Sequence, residues 1–222
     1  MDYLIVVAGG KGLRMGGDVP KQFQLLCGRP VLMHTIDKFA AAGATITLVL
    51  PQAHHGLWSD LCTEYRFVTP HAVATGGASR FESVRNGLAT LSLREGDAVA
   101  VHDGVRPLVS TALIENTYDT ALACGSAIPA IMPSDSIRMV DPDGNSHQLL
   151  RSDLRAVQTP QTFEASLLTG AYDVDFSPLF TDDASVVEAA GHKVTLIEGQ
   201  PSNIKITHPI DLIVAERLMN DE

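Results

Sequence analysis

Four short apolar runs divide the first 131 residues, and each ends at glycine, proline or a polar cluster. They occupy residues 3–8, 45–50, 98–101 and 127–131. Continuous apolar runs rich in β-branched residues are typical of strands that are buried on both faces of a parallel sheet. Pro129 lacks a backbone donor, so we expect the fourth strand at a sheet edge or at a bulge.

Amphipathic stretches separate these runs. Apolar residues recur every three or four positions in segments 31–42, 57–65, 80–93 and 113–124, which predicts four helices. Strands that alternate with helices form right-handed crossovers around a parallel sheet. The predicted fold class is therefore α/β and Rossmann-like, with a mostly parallel central sheet flanked by helices.

The alternation breaks after Met132. Segments 136–140 and 147–150 flank an Asp-Gly turn, which predicts a protruding β-hairpin arm at about residues 134–157. Such a hairpin either packs on the main sheet or reaches a second subunit, and we favour the second option, which predicts a homodimer. Beyond the arm we expect helices at 163–172, from Thr181 onward and at 209–219, with a strand at 193–197. The chain has no repeat or linker, so we expect one domain over residues 1–222.

Composition limits the partners and the compartment. The chain has 45% hydrophobic and 19% charged residues, which excludes a disordered class. Its 16 basic and 26 acidic residues give a net charge of −10, which argues against nucleic acid as a partner. The three cysteines form no metal or disulfide pattern, and the most apolar window is too short to span a bilayer. We therefore expect a cytoplasmic protein with no membrane contact.

A glycine-rich segment follows the first predicted strand. Glycines there let backbone N–H groups approach an anion, which suggests a phosphate-binding loop. The segment matches neither the Walker A pattern nor the dinucleotide fingerprint. Arg14 and Lys21 follow at short range, and Pro20 stiffens the backbone before Lys21. The alternatives are a glycine turn without a ligand and two solvated surface cations.

Blocks spread along the chain, taken together, resemble the nucleotidyltransferases that activate alcohol phosphates with CTP. The blocks are 8–16 with 20–22, Gly76-Gly77 with Arg80 and Ser83-Val84, 102–107, 158–161, 181–185 and 203–207. The resemblance implies cytidylyl transfer from CTP to a small polyol phosphate, with release of pyrophosphate. Methylerythritol 4-phosphate is the expected acceptor and ribitol 5-phosphate the alternative. A non-catalytic nucleotide-binding regulator is the alternative from another class.

The resemblance also assigns roles to individual residues. The expected catalytic cations are Arg14, Lys21 and Lys205. The expected nucleotide-binding residues are Ala8, Gly9, Gly10, Gly12, Gly76, Gly77, Ser83, Asp103 and Gly104. The expected acceptor-binding residues are Asp103, Arg106, Ser136, Arg151, Thr159 and Lys205. Ser136 and Arg151 would act across the dimer from the arm.

Several assignments keep an alternative. Arg155 is close enough to Arg151 in sequence to exchange roles with it. Asp103 and Arg106 could form an ion pair that only stabilises their loop. The Thr181-Asp182-Asp183 segment has the residues of a helix start, although adjacent carboxylates also suit Mg²⁺. The expected cofactor is Mg²⁺, held mainly by the phosphates of CTP, and we assign it no protein ligand.

Overall fold

A computed structural model describes residues 1–10 and 19–220 of the protein. The strands described are β1 (Asp2–Val7), β2 (Leu25–Leu26), β3 (Arg29–Pro30), β4 (Thr45–Leu50), β5 (Ala72–Thr75), β6 (Ala98–Asp103), β7 (Ser126–Ile131), β8 (Arg138–Val140), β9 (Ser146–Gln148), β10 (Ala156–Val157), β11 (Gln161–Glu164) and β12 (Leu196–Glu198). The α-helices described are α1 (Val31–Ala41), α2 (His55–Glu64), α3 (Arg80–Leu88), α4 (Thr111–Cys124), α5 (Ala165–Ala171), α6 (Asp183–Ala189) and α7 (Pro209–Asn220). Within these ranges, every helix is too short or too polar to cross a membrane.

The central sheet is mixed but mostly parallel, as predicted. Strands β6, β1, β4 and β5 are successive parallel neighbours. Strand β11 runs antiparallel between β6 and β7, and β7 also pairs with β10 and, in parallel, with β12. In the register, Val7 of β1 lies opposite Asp103 of β6 and Val49 of β4. The carboxyl ends of the parallel strands therefore lie side by side.

Both faces of the central strands are buried. Leu4 and Val6 of β1 belong to a cluster with residues of α1 and α4. Ile5, between them, belongs to a second cluster with residues of α3 and α5. Because alternate side chains of a strand point to opposite faces, an uninterrupted apolar run is what such a layered fold requires.

Three element predictions need correction. The helix expected at 80–93 ends at Leu88, and the helix expected at 163–172 begins only at Ala165. The segment before Ala165 forms β11, since Thr162 and Phe163 pair with both β6 and β7. The last strand is shifted to Leu196–Glu198. Helical spacing and a half-buried strand are hard to separate over a few residues, so partners elsewhere in the chain decide.

The prediction of an edge position for Pro129 is wrong in part. Strand β7 is paired on both sides, with Pro129 opposite Ile197 of β12. The carbonyl of Pro129 accepts a hydrogen bond from Gln158 N at 2.7 Å. Gln158 lies between β10 and β11, where the antiparallel partner strand is interrupted. The missing N–H of proline is tolerated because it falls beside this interruption.

The predicted hairpin arm is present. Strands β8 and β9 pair with Met139 opposite His147, and Gly144 in the turn has a φ of +83°. The two strands form a sheet of their own, and their residues are exposed. The arm therefore does not pack on the central sheet, while the homodimer and the single domain remain predictions.

Candidate active site

A cavity of about 280 Å³ opens where the parallel strands end. Its wall comes from the ends of β1, β4, β5 and β6, the start of α3 and two loops. Nine of the residues expected in the site line it: Ala8, Gly9, Gly10, Lys21, Gly76, Gly77, Ser83, Asp103 and Lys205. Ligand sites of open α/β sheets lie at this edge, because loops from neighbouring strands converge there. Arg14 and Gly12 lie outside the described residues.

The turn from β5 to α3 requires glycine. A Cβ atom on Gly77 would lie 2.2 Å from Cβ of Glu82, and one on Gly76 would lie 3.1 Å from Oγ of Ser83. Ser79 caps α3 by accepting a hydrogen bond from Glu82 N, while Glu82 Oε2 accepts one from Ser79 N. Ser83 Oγ accepts a hydrogen bond from Gly77 N and donates one to Ser79 O. The turn is thus a rigid wall with backbone groups at its surface.

Asp103, the last residue of β6, joins two cations. Its Oδ2 lies 2.9 Å from Lys205 Nζ and 3.3 Å from Arg106 Nε. Burial alone would raise the pKa of Asp103, but Lys205, Arg80 and Arg106 outweigh it and hold the pKa below its ordinary value. The carboxylate is therefore ionised at neutral pH. The alternative Asp103–Arg106 ion pair is present, and Lys205 shares it.

Arg106 also determines where Lys205 lies. Its Nη1 donates a hydrogen bond of 2.8 Å to Asn203 O, and Ile206 N donates one of 2.9 Å to Val105 O. Lys205 therefore lies in an irregular segment that is attached to the end of β6 by these hydrogen bonds. Arg106 itself is buried beneath the cavity and is absent from its wall.

A buried hydrogen-bond chain supports the end of β6. His102 Nε2 lies 3.1 Å from Arg106 O, which can only accept, so Nε2 carries the proton. Burial lowers the pKa of His102 to about 4, against the opposing effect of this hydrogen bond and of Asp103. The neutral ring then accepts at Nδ1 from the hydroxyl of Thr159, whose oxygen accepts from Asp103 N. Thr159 thus orients Asp103 from below.

Lys21 and Gln22 approach the glycine-rich segment from the side. They begin a short 3-10 turn, Lys21–Phe23, after Pro20. A Cβ atom on Gly10 would lie 3.5 Å from Cε of Lys21, so the lysine passes directly over that backbone. Gln22 Nε2 donates a hydrogen bond of 2.8 Å to Ala8 O. Sequence reasoning missed Gln22, although it directly follows Lys21 in the motif.

Arg80 is a further wall residue to which sequence reasoning gave no role. It is the first residue of α3 and projects into the cavity wall. Its position after a glycine pair, at a helix N-terminus, was a usable signal. Its buried partner, Asp183, lies 103 residues away and could not be recognised from local pattern.

Besides Arg106, four expected residues lie outside the cavity wall. Gly104 is packed under the wall, where a Cβ atom would lie 2.9 Å from Leu32 Cδ1. Thr159 is buried behind Asp103. Ser136 and Arg151 are exposed on the arm, and Arg151 Nη1 donates a hydrogen bond to Ser134 O. One chain alone does not bring the arm residues into its cavity.

The acidic segment before α6 is a helix start. Asp182 accepts a hydrogen bond from Ser185 N at 2.9 Å and forms a capping box. Asp183 is fully buried against Arg80. Across residues 1–10 and 19–220, we find no group of three or more His, Cys, Asp or Glu side chains placed to hold a metal ion. The predicted helix start at this segment is confirmed.

A cavity edged by glycine backbone, with Lys21, Arg80 and Lys205 around it, defines an α/β enzyme that binds a phosphorylated nucleotide. Comparison with known proteins gives the particular family. Residues 3–221 match the IspD family, 2-C-methyl-D-erythritol 4-phosphate cytidylyltransferase. The chain belongs to this family and is a nucleotidyltransferase.

Curated relatives and solved structures agree with this assignment. A 2-C-methyl-D-erythritol 4-phosphate cytidylyltransferase of Phocaeicola vulgatus is 49% identical, covering 98% of this chain and 99% of the relative. One of Porphyromonas gingivalis is 49% identical over 98% of this chain and 97% of its own. The crystal structure of the enzyme from Thermus thermophilus superposes with a TM-score of 0.79 at 30% identity, covering 99% of this chain and all of the other.

Proposed function

We propose that the cavity transfers the cytidylyl group of CTP to 2-C-methyl-D-erythritol 4-phosphate. The products are 4-diphosphocytidyl-2-C-methyl-D-erythritol and pyrophosphate, in isoprenoid precursor synthesis by the non-mevalonate route. The names of the family and of its relatives support this reaction. The observation that carries it is the convergence of Lys21 and Lys205 on one glycine-edged cavity beside Asp103.

The chemistry needs fixed positive charge more than a general base. An oxygen of the acceptor phosphate attacks the α-phosphorus of CTP, and the bond from that phosphorus to the bridging oxygen breaks. The electron pair of the broken bond leaves with pyrophosphate. A phosphomonoester is already largely ionised near neutral pH, so no side chain has to remove a proton. Cations and backbone donors aimed at the reacting phosphorus lower the barrier.

Each wall segment then has a role. The backbone at Gly9, Gly10, Gly76 and Gly77 admits the nucleotide closely, since no Cβ atom intervenes. Lys21, beside Gly10, stabilises the α-phosphate and the leaving pyrophosphate, together with Arg14. Lys205 orients the acceptor phosphate. Asp103 holds Lys205 in place and accepts hydrogen bonds from hydroxyl groups.

The wall fits a magnesium ion carried by the nucleotide. Asp103 is the only carboxylate that the described residues contribute to the wall. Mg²⁺ in polyphosphate enzymes commonly takes one or two carboxylates and fills its other positions with phosphate oxygens and water. Asp103 is the residue that would hold it. Bound there, the ion would neutralise charge on the triphosphate.

The arm supports a shared site in a homodimer. It exposes apolar side chains, among them Met139, Val140 and Leu150, which solvent-exposed hairpins normally avoid. Ser136 and Arg151 of one protomer would reach the acceptor phosphate in the cavity of its partner. The proposed compartment is the cytoplasm.

A turnover assay tests the reaction. Purified protein is incubated with CTP, Mg²⁺ and either methylerythritol 4-phosphate or ribitol 5-phosphate, and phosphorus NMR follows the CDP-alcohol and pyrophosphate. We expect turnover with methylerythritol 4-phosphate and much slower turnover with ribitol 5-phosphate. The exposed Lys193 provides the control, since K193A should keep full activity while K205A loses it. Preference for ribitol 5-phosphate would refute the acceptor.

A further inference from the structure

Arg80 and Asp183 form a two-point ion pair that reaches from the interior to the cavity wall. Nη1 of Arg80 lies 2.9 Å from Oδ1 of Asp183, and Nη2 lies 2.6 Å from Oδ2. The Asp183 side chain is fully buried, whereas that of Arg80 is 30% exposed. The pair joins the first residue of α3 to the first residue of α6. One end of the pair is therefore enclosed, and the other faces the ligand space.

The enclosed end is fastened by further hydrogen bonds. Tyr172 Oη donates to Asp183 Oδ1 at 2.7 Å, and Asp183 N donates to Gln161 Oε1 at 3.0 Å. The Tyr172 ring stacks on Phe81, with ring centroids 4.8 Å apart. Burial and the neighbouring Asp183 raise the pKa of Tyr172, so its hydroxyl remains a donor. The position of the carboxylate is thus set from several directions.

The open end has hydrogen-bonding capacity to spare. A guanidinium carries more N–H donors than one carboxylate can engage, and it cannot lose its charge in a protein. Arg80 shares the wall with Gly77, Ser83 and Asp103. Because Asp183 balances its charge, Arg80 offers the cavity directed donors rather than net positive charge. A directed donor suits the oxygens of a nucleotide.

We propose that Arg80 is a further nucleotide-binding residue, donating to an oxygen of bound CTP, and that Asp183 and Tyr172 are positioning residues that aim it. This inference rests on the proposed function, since it takes CTP as the ligand. An ion pair at this position would add little to the stability of the fold by itself. Removing the Asp183 carboxylate and most of the Arg80 guanidinium from water is costly, and apolar pairs of similar volume are often equally stable. The cavity supplies the reason to retain it.

The test distinguishes an effect on the position of Arg80 from an effect on the stability of the fold. We would measure the Kd of CTP by calorimetry, kcat and KM by turnover, and Tm, for R80M, D183N, Y172F and the double variant R80M/D183N. We expect R80M to raise the Kd of CTP about tenfold or more, as for loss of a hydrogen bond to a charged group. D183N, which leaves Arg80 without its counter-charge, should raise the Kd and lower Tm. Y172F should raise the Kd about threefold, since it removes one hydrogen bond of the carboxylate.

The double variant is decisive, because it removes both charges together. It should regain most of the Tm that D183N loses, yet bind CTP as weakly as R80M. A purely structural pair would recover affinity together with Tm, and that result would overturn the inference. A Kd for R80M within twofold of the wild type would also overturn it. If D183N does not fold, the Kd of CTP for the double variant and for Y172F still tests whether Arg80 binds CTP and whether Tyr172 positions it.

Matched controls lie elsewhere in the chain. Arg29 and Asp37 form an ion pair outside the cavity wall, with Nη2 of Arg29 2.8 Å from Oδ2 of Asp37. Tyr118 is a buried tyrosine whose hydroxyl donates a hydrogen bond to Tyr3 O. D37N and Y118F should leave the Kd of CTP unchanged. Measurements on the wild type distinguish the two proposals. If the wild type binds CTP but does not turn it over, the proposed reaction is refuted while the role of Arg80 in binding CTP is not. Normal turnover with unaltered variant affinities refutes only the role of Arg80.

Discussion

Replacing Gly77 by alanine should weaken both the fold and nucleotide binding. The new Cβ would lie 2.2 Å from Cβ of Glu82 and 3.1 Å from its backbone carbon, so the start of α3 has to move by roughly an ångström. That movement disturbs the Ser79–Glu82 capping box, worth about 0.5–2 kcal/mol, and overpacking adds about 1–3 kcal/mol. We expect a loss of about 2 kcal/mol, which lowers Tm by about 4–8 °C in a chain of this length.

Thermal unfolding and CTP kinetics check this prediction. Ser83 and Arg80 follow Gly77 on the displaced helix start, so the KM for CTP should rise about tenfold, the effect of one misplaced hydrogen-bond donor. G56A is the control, because Gly56 is exposed in α2 and an alanine Cβ there would meet no atom within 4 Å. It should be neutral or slightly stabilising. A G77A protein with wild-type Tm and KM would show that the turn is not the tight wall described above.

Three other measurements test the site. K21A and K205A should each lower kcat about 10²-fold, a loss typical of removing one transition-state donor, and near-normal rates would contradict their catalytic roles. R151A alone should also lose most of its activity, and mixing it with K205A should restore about a quarter of wild-type activity, because half of the random dimers then hold one intact shared site; no recovery would refute sharing. Burial lowers the pKa of His102 to about 4 in the folded protein, so as the pH falls this histidine is protonated in the unfolded chain before it is protonated in the folded one. The free energy of unfolding that the neutral ring contributes above pH 6.5 is therefore lost as the pH falls toward 4. Urea unfolding should therefore lose about 2 kcal/mol more between pH 7 and 5 in the wild type than in H102Q, and equal losses would contradict a buried neutral ring.

Much of the fold could be predicted from local pattern. The strands at the centre of the sheet are uninterrupted apolar runs, and α1 and α4 begin and end within about two residues of their predicted bounds. Strand β5 escapes such prediction, because three of its four residues are exposed at the sheet edge and its sequence, Ala72–Thr75, is short. The last two residues of β11 fall within a predicted helix, because the strand is held by two neighbouring strands that are distant in sequence.

Part of the site could likewise be predicted from the sequence, and part required the structure. Sequence motifs and the family resemblance led to Lys21, Gly77, Asp103 and Lys205, which the structure brings into one wall. Gly104 carries a similar motif signal, but its place is under the wall, where close packing excludes a side chain. The position of Arg80 after a glycine pair is a signal in the sequence, but the direction of its side chain depends on Asp183, which lies 103 residues away and leaves no sign in the local sequence.

The sequence by itself determined most of the elements, because the period of apolar residues decides which face of each segment leaves water, and glycine or proline ends many of the segments. It also determined the family, through ordered blocks along the whole chain. Only the tertiary structure decided which of those residues meet. Contacts such as Asp103–Lys205 and Arg80–Asp183 join positions about a hundred residues apart, and strand order and loop packing set their distances. These distances cannot be predicted from the local sequence around either residue.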